Sequence, residues 1–348
     1  MATMKAAMFL GPEKPLEIQD VPVPEIGPDE VLVKVAGCGV CHTDLHYMDH
    51  GTPTFKKPPF ILGHEPSGTI AAVGANVDNF KENDRILLPA VLSCGVCENC
   101  RIGRENICYK MVMFGNHVDG AYAEYVKAPA KDIFALPEEL PLEESCIIAD
   151  AVSTPYHAVK NRGQVRPGDY VVVVGCGGVG MNTVQVAAAA GGTVIACDIS
   201  AEKLELAKKF GASYVINPGT DRDANKAAIK EIKKITKGVG ADIAMEVIGK
   251  AATQNFAFNT LKMGGRLVVI GFSTEKLSIS GGKVMFFEME VMGSLGCRPV
   301  DYPRIIELAR TGRINVRDFV TSRHKLEDIN KAFDLLREGK GLRAIVTP

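Results

Sequence analysis

The stretch from Tyr170 to Asp198, YVVVVGCGGVGMNTVQVAAAAGGTVIACD, predicts one complete unit of strand, turn, helix and strand. Its opening run YVVVV is typical of a parallel strand that is buried on both faces, and Gly175 ends it. A helix is expected from Val179 to about Ala190, followed by a second strand at Val194 to Cys197. This alternation predicts a doubly wound α/β domain around the stretch.

The turn of this unit carries a phosphate-binding pattern. Gly175, Gly177 and Gly180 form GxGxxG between a strand and a helix, the context in which the pattern has meaning. The first glycine permits the tight turn, the second lets a pyrophosphate approach the backbone, and the third allows close packing of the helix on the strand. The free N–H groups at the start of the helix favour the same anion. We therefore expect a dinucleotide site.

Asp198 indicates which dinucleotide binds. It ends the second predicted strand, where a carboxylate accepts hydrogen bonds from the hydroxyls of the adenosine ribose. Its charge would repel a 2′-phosphate, and no arginine follows within residues 199–201 to neutralise that charge. The expected cofactor is NAD rather than NADP.

Composition limits the classes of partner. With 348 residues, 46% of them hydrophobic, the chain is long enough for two domains with separate cores. The formal net charge of −1 argues against binding nucleic acid or an anionic membrane surface. The N-terminal MATMKAAMFL has no signal-peptide pattern, and no run reaches the roughly 18 apolar residues of a membrane span. We expect a cytoplasmic protein.

The pattern of the chain changes along its length. Residues 1–151 contain short β-like runs punctuated by Pro and Gly, which predicts a mainly β domain. Residues 152–295 alternate strands and helices, and their last apolar segment is Phe286 to Leu295. Residues 296–348 contain two helical stretches and a final strand at Ala344 to Thr347 that is expected to return to the first domain.

Four cysteines crowd into a loop of about residues 93–109. Cys94, Cys97, Cys100 and Cys108 have the spacing of a closed tetrahedral zinc site with four thiolates. Disulfides and an iron–sulfur cluster are the alternatives, since thiolates serve both. Zinc is preferred because all-thiolate sites suit it and because a second metal constellation lies in the same domain.

That second constellation is dispersed. Cys41 lies in GCGVCHTDLH and His64 in GHEPSG. Either residue alone would more often be structural, as a small buried hydrophobe or a loop histidine. Both precede a predicted NAD site, and a catalytic zinc needs about three protein ligands and one open position.

Taken together, these motifs resemble the zinc-dependent medium-chain alcohol dehydrogenases over essentially the whole chain. The resemblance implies a GroES-like β domain that carries a catalytic zinc, a Rossmann domain that binds NAD, and a structural-zinc lobe. It implies hydride transfer between an alcohol, with a secondary or cyclic one preferred, and NAD, which gives a ketone or aldehyde and NADH. The segment Phe286 to Leu295 resembles the strand through which family members pair, so a homo-oligomer, dimer or tetramer, is expected.

The resemblance also assigns the catalytic-zinc ligands. It implies Cys41 and His64 as ligands, with Glu65 as a carboxylate close to the metal. Many members have a cysteine before the Ser-Thr pair that opens the cofactor domain, whereas this chain has Asp150 at the ligand position. An aspartate is acceptable to zinc. Cys146 is out of register by four residues.

A proton relay and further cofactor contacts follow from the same resemblance. Thr43 and His46 are implied to carry the alcohol proton to water by way of the nicotinamide ribose, because an ordinary imidazole pKa of about 6.5 suits that role. His50, His117, His157 and His324 are assigned structural roles, although His117, Val91 and Leu295 are considered for the substrate pocket. The implied cofactor contacts are His42, Thr154, Gly175, Gly177, Gly178, Val179, Gly180, Asp198, Ile199, Lys203, Gly271, Leu295 and Arg343.

Alternatives remain open at this point. The substrate could be a polyol or a hydroxy compound carried on acyl-CoA. The chain could also be a nucleotide-binding protein without catalysis, but such a protein would be expected to lack some ligands or relay groups. A zinc-free reductase of C=C bonds is disfavoured by the four cysteines and by the GHE motif at Gly63 to Glu65.

Overall fold

The structure, a computed structural model, describes residues 2–272 and 274–348. Its internal contacts divide the chain into two compact units, one of residues up to 153 with 296–348, the other of residues 154–295. The strands are β1 Thr3–Phe9, β2 Glu17–Pro22, β3 Glu30–Gly39, β4 Phe60–Ile61, β5 Pro66–Val73, β6 Arg85–Leu87, β7 Val91–Leu92, β8 Val112–Met113, β9 Tyr125–Pro129, β10 Phe134–Ala135, β11 Tyr170–Val174, β12 Thr193–Cys197, β13 Tyr214–Ile216, β14 Ala241–Glu246, β15 Leu261–Val269, β16 Glu290–Gly293, β17 Val320–Lys325 and β18 Arg343–Thr347.

Helices occur mainly in the second unit and near the C-terminus. They are α1 His42–His50, α2 Glu98–Arg101, α3 Ser153–Tyr156, α4 Gly178–Ala189, α5 Ala201–Lys209, α6 Arg222–Ile235, α7 Ala251–Thr260, α8 Gly281–Phe286, α9 Tyr302–Arg310 and α10 Ile329–Arg337. A short 3₁₀ helix, Glu144–Ala149, precedes Asp150, and a π-helical stretch, His157–Gly163, follows α3.

The first unit is built on antiparallel sheets. One sheet has the order β2-β1-β4, and a larger one has the order β10-β6-β5-β3-β18-β17, with β9 also paired to β3. Strand β18 lies antiparallel to β3, with Val346 opposite Cys38. The last strand of the chain therefore completes the sheet of the N-terminal part, and the core between these sheets includes the buried rings of Phe9, Phe60 and Tyr122.

The second unit is a parallel six-stranded sheet of order β13-β12-β11-β14-β15-β16. The strand order runs outward in both directions from β11, as in a doubly wound fold, so ligands are expected at the carboxyl ends of β11 and β14. Val171 to Val174 are buried, which is why this strand reads as a continuous apolar run. The mainly β and Rossmann-type architecture predicted from the sequence is confirmed.

The C-terminal ends of both units differ from the sequence prediction. The apolar segment Phe286 to Leu295 is a strand only over β16. Its first residue, Phe286, instead ends the short helix α8, which Ser280 caps at its start. Glu288, with a φ of +48°, then turns the chain before the strand begins. Strand β17 was not predicted, since VTSRHK is a polar sequence whose strand state depends on its pairing with β18.

Candidate active site

The glycine loop has the conformation that its sequence predicts. Gly175 follows β11 with a φ of +98°, a region that favours glycine. A Cβ on Gly180 would lie only 1.8 Å from the carbonyl oxygen of Gly175, so no larger residue fits. Gly177 precedes α4, which begins at Gly178 and includes Val179. The backbone is thus open to a phosphate at the start of this helix.

Asp198 lies beside this loop because β11 and β12 are neighbours. Its carboxylate accepts hydrogen bonds from the backbone N–H of Cys176 over 2.7 Å and of Ser200 over 2.9 Å. These bonds fix a negative charge at the carboxyl end of β12. The Ile199 side chain is exposed, and Lys203 lies in the first turn of α5.

Cys176 lies inside the glycine loop, and its thiol does not ionise near pH 7. Burial and the charge of Asp198 raise the pKa of its thiol to about 12, although the Lys203 ammonium opposes the shift. The thiol is therefore neutral near pH 7, and this part of the loop adds no charge that would repel a phosphate.

Three further predicted cofactor contacts lie in the second unit. Gly271 is in close contact with its neighbours, since a Cβ there would lie 2.2 Å from the backbone nitrogen of Gly249. Leu295 is half-exposed just after β16, and Thr154 lies in α3. The structure places these residues, and their roles toward a cofactor stay predictions.

The four cysteines of the lobe converge. The sulfur atoms of Cys97 and Cys100 are 3.4 Å apart, those of Cys97 and Cys108 are 3.8 Å apart, and those of Cys94 and Cys100 are 3.9 Å apart. A tetrahedral ion with Zn–S bonds of about 2.3 Å requires sulfur separations of about 3.8 Å. The separations are far longer than a disulfide bond of about 2.05 Å. The donor set therefore fits one tetrahedral ion.

A second set of donors converges in the same unit. One donor atom each from Cys41, His64, Glu65 and Asp150 lie within 4.8 Å of one another. Cys41 precedes α1, His64 and Glu65 precede β5, and Asp150 follows the 3₁₀ helix Glu144–Ala149. His64 Nε2 is 3.7 Å from Asp150 Oδ2, near the roughly 3.4 Å expected of neighbouring ligands at a tetrahedral zinc ion.

The polarity of this pocket fits a cation. Both ring nitrogens of the buried His64 are without a hydrogen bond to any described residue. Burial disfavours a charged His64, but the acidic side chains of Asp44 and Cys41 overcome it and raise its pKa. Burial likewise disfavours the Cys41 thiolate, yet Arg343 and His64 lower the pKa of that thiol. The residues present thus suit a divalent ion held by sulfur, nitrogen and oxygen.

Asp44 is a member of this site that the sequence analysis missed. It is fully buried on α1, with Oδ1 3.4 Å from His64 Nδ1, while Oδ2 accepts a hydrogen bond of 2.8 Å from the Tyr122 hydroxyl. A carboxylate behind a ligating histidine orients the ring and makes it more basic. The available signal was the helical spacing, because Asp44 follows Cys41 by almost one turn.

Glu65 is paired with a residue predicted to contact the cofactor. Arg343 donates from Nε to Glu65 Oε2 over 3.2 Å, and its Nη2 also contacts Oε1. Both side chains are buried. Arg343 therefore neutralises a carboxylate beside the predicted metal ligands, and any contact of its guanidinium with a pyrophosphate stays a prediction.

Helix α1 carries the residues predicted for proton transfer. Cys41 Sγ lies 3.6 Å from Thr43 Oγ1, so the threonine hydroxyl is next to a sulfur atom that is predicted to bind zinc. His46 is half-buried one turn further on, and His42 is exposed at the start of the helix. Burial and the neighbouring His50 lower the pKa of His46, which keeps its imidazole neutral near pH 7.

The first unit also contains a cavity of about 850 Å³, which is separate from the donor set around His64. It is lined mostly by apolar side chains and by His117, and no residue of the four-donor set around His64 lines it. His117 stacks on Phe55 with ring centroids 4.1 Å apart and accepts a hydrogen bond from the backbone N–H of Met113. Its surroundings explain a structural role. Val91 pairs with Met113 in the β7-β8 ribbon.

The fold and the two donor sets define a zinc-binding dehydrogenase, and the comparisons with known proteins agree. Residues 27–138 match the alcohol dehydrogenase GroES-like domain, and residues 178–311 match the zinc-binding dehydrogenase domain. Within the described residues, no helix is both long and apolar enough to cross a bilayer.

Known relatives are similar over nearly their full length. The chain is 37% identical to an alcohol dehydrogenase of Geobacillus stearothermophilus, over 97% of each protein. It is 35% identical to a sorbitol dehydrogenase of Bacillus subtilis, over 99% of this chain and 97% of the relative. The structure of 2R,3R-butanediol dehydrogenase from Bacillus subtilis superimposes with a TM-score of 0.89, at 28% identity and 99% coverage of both chains.

The chain therefore belongs to the zinc-dependent medium-chain alcohol dehydrogenase family. It is an oxidoreductase that transfers hydride between an alcohol and a nicotinamide dinucleotide.

Proposed function

We propose that this enzyme oxidises a secondary or cyclic alcohol to a ketone with NAD, and that it holds one catalytic and one structural zinc ion. The observation that carries the proposal is the convergence of Cys41, His64 and Asp150 donors in one buried pocket. Three donors of this kind leave a fourth coordination position for substrate. A bound zinc ion there supplies Lewis acidity, which lowers the pKa of an oxygen ligand as it lowers that of water from about 15.7 to about 7.

The residues of α1 supply the route for the proton. The Thr43 hydroxyl, beside the Cys41 sulfur, is positioned to accept the proton of an alcohol and to pass its own proton on. His46, kept neutral by its lowered pKa, receives the proton by way of the nicotinamide ribose and releases it to water. Asp44, whose Oδ1 is 3.4 Å from His64 Nδ1, supports the orientation of that ring, and Arg343 supplies a counter-charge to Glu65.

Asp198 supports NAD as the preferred dinucleotide. Its carboxylate is held at the end of β12 by two backbone N–H groups, where it can accept hydrogen bonds from ribose hydroxyls. A 2′-phosphate at this position would meet a fixed negative charge. The glycine loop and the start of α4 bind the pyrophosphate in this proposal, together with Lys203 on the ribose and His42 and Arg343 on the phosphates.

The relatives support the class of substrate. Sorbitol dehydrogenase and 2R,3R-butanediol dehydrogenase act, by their names, on molecules with secondary hydroxyl groups. A polyol is thus the second candidate within the same chemistry. A hydroxy compound on acyl-CoA has no comparable support among these relatives.

The enzyme is proposed to be a homo-oligomer in the cytoplasm. Strand β16 ends the six-stranded sheet, so its outer edge has no partner strand in residues 154–272 and 274–295. Met285 and Phe286, just before it, are 73% and 75% exposed. A second copy of the chain could cover this edge and these side chains. All ten cysteines lie in the described part of the chain and none of them forms a disulfide there, as is typical of a reducing compartment.

The function is tested by measuring NADH formation with primary, secondary, cyclic and polyol alcohols, before and after chelation of exchangeable metal. Activity is expected to be highest with a secondary or cyclic alcohol, to vanish on chelation and to return with Zn²⁺. The variant Asp150→Ala should lose one zinc ion per chain and its activity, whereas Cys146→Ala should keep both, since Cys146 is buried outside the donor set. Activity that survives complete removal of the exchangeable metal would overturn the mechanism.

A further inference from the structure

Helix α1 places two histidines one above the other. His46 and His50 are four residues apart, so they lie on the same face of the helix, and their ring centroids are 5.6 Å apart with a tilt of 42° between the planes. His50 is exposed to solvent and His46 is half-buried. A pair of histidines at this helical spacing is an arrangement that binds zinc in proteins.

The separation of the rings fits a shared metal ion. With metal–nitrogen bonds of about 2.0–2.1 Å, the centre of each imidazole lies about 3.2 Å from the ion. When one nitrogen of each ring points at the same ion, two centres 5.6 Å apart subtend an angle of roughly 120° there, near the roughly 109° of tetrahedral coordination.

The charge state of the pair also suits a metal. Burial and the presence of His50 lower the pKa of His46, which keeps its imidazole neutral near pH 7, the protonation state that binds a metal ion. Asp49, between the two histidines in sequence, accepts hydrogen bonds of 2.8 Å on both of its oxygens from Arg337 of α10. Both carboxylate oxygens of Asp49 are thus already bound by Arg337, and water molecules would complete the coordination of the metal ion.

We propose that His46 and His50 form a third metal site, a two-imidazole chelate for a divalent transition-metal ion such as Zn²⁺ or Ni²⁺. It is distinct from the two donor sets of the family chemistry, since neither histidine belongs to them. Imidazole pairs favour late first-row divalent metals over Mg²⁺ or Ca²⁺. An ion at this site occupies a nitrogen of His46, so it inhibits alcohol oxidation; this second part rests on the proposed function of His46.

Calorimetric titration of the untagged, zinc-loaded full-length enzyme with NiCl₂ tests the site. Wild type is expected to bind one Ni²⁺ per chain, and His50→Gln is expected to weaken that binding at least about tenfold. His324→Gln is the matched control, because His324 is a half-buried histidine on β17 whose ring pairs with the Ser322 hydroxyl. Equal Ni²⁺ affinity of wild type and His50→Gln would overturn the site.

Initial rates with NAD and alcohol separate this site from the proposed function. Added Ni²⁺ should inhibit wild type and His324→Gln but leave the rate of His50→Gln unchanged relative to its own metal-free value. Should Ni²⁺ bind wild type through His50 without inhibiting it, the metal site stands and the placement of His46 on the proton path is wrong. Retention of the untagged enzyme on immobilised Ni²⁺, lost in His50→Gln, is an independent readout of binding.

Discussion

Arg343 and Glu65, 278 residues apart in the chain, form an ion pair that is buried from solvent. Arg343 begins the last strand, β18, and Glu65 precedes β5, so the pair joins the N-terminal and C-terminal segments of the first unit. Because Glu65 also belongs to the donor set around His64, the C-terminal strand contributes to the charge balance of the metal pocket.

Replacing Arg343 by alanine should therefore destabilise the enzyme strongly. The change leaves the Glu65 carboxylate buried without its counter-charge, which costs about 3–5 kcal/mol. The matched control is Arg337→Ala, whose pair with Asp49 is partly exposed and is worth about 1 kcal/mol or less. The urea midpoint of unfolding should fall several times further in Arg343→Ala, and similar midpoints in the two variants would contradict this account.

Asp44→Asn should weaken the hold on the catalytic metal without removing a ligand. The amide keeps the shape of the side chain but no longer presents a charged acceptor to His64 Nδ1. Loss of such a partner typically lowers metal affinity about 10–100-fold. Competition with a zinc chelator measures this, and Asp132→Asn, a buried aspartate outside the donor set, is the control. Unchanged zinc retention in Asp44→Asn would show that His64 is oriented by other groups.

Asp198→Gly should reduce the preference for NAD. Removing the carboxylate removes both an acceptor for the ribose hydroxyls and the charge that opposes a 2′-phosphate. The ratio of kcat/KM for NADP to that for NAD should rise at least about tenfold, a change of about 1.4 kcal/mol. Asp221→Gly, which alters an exposed cap of α6, should leave the ratio unchanged. An unaltered ratio in Asp198→Gly would mean that another residue distinguishes the ribose of NAD from the 2′-phosphorylated ribose of NADP.

His50→Gln should move the acidic limb of the pH profile of kcat/KM for alcohol oxidation. Burial and His50 both lower the pKa of His46, and the variant removes the second cause. The pKa of His46 then rises, so His46 stays protonated up to a higher pH and the limb shifts upward in pH. His324→Gln should leave the limb in place. A limb that does not move in His50→Gln would exclude His46 as the titrating proton acceptor.

Phe286→Asp should disrupt the assembly of subunits. The substitution puts a charge among the exposed apolar side chains beside β16, where a partner chain would have to desolvate it. Light scattering should show a smaller particle for Phe286→Asp than for wild type. Tyr214→Asp is the control, since Tyr214 is 44% exposed on β13, at the opposite edge of the sheet. Equal masses for wild type and Phe286→Asp would contradict pairing through this edge.

The amino-acid sequence by itself determined the local parts of this protein. The alternation of strands and helices after Tyr170, the conformation of Gly175 and the spacing of the four lobe cysteines each depend on residues close together in the chain. Short-range backbone geometry dictates such features, so their residue types predict them directly. The choice of Asp150 over Cys146 came from the resemblance to the family, and the structure brings Asp150 into the donor set.

Only the tertiary structure decided which distant side chains meet. Asp44 behind His64, Arg343 on Glu65, and the strand state of β17 depend on the packing of segments that lie far apart in sequence. A buried charge must find a counter-charge, but its identity follows from which strands lie next to each other. No periodicity within a single segment contains that information, and so the ligand types were predictable while the residues that orient and neutralise them were not.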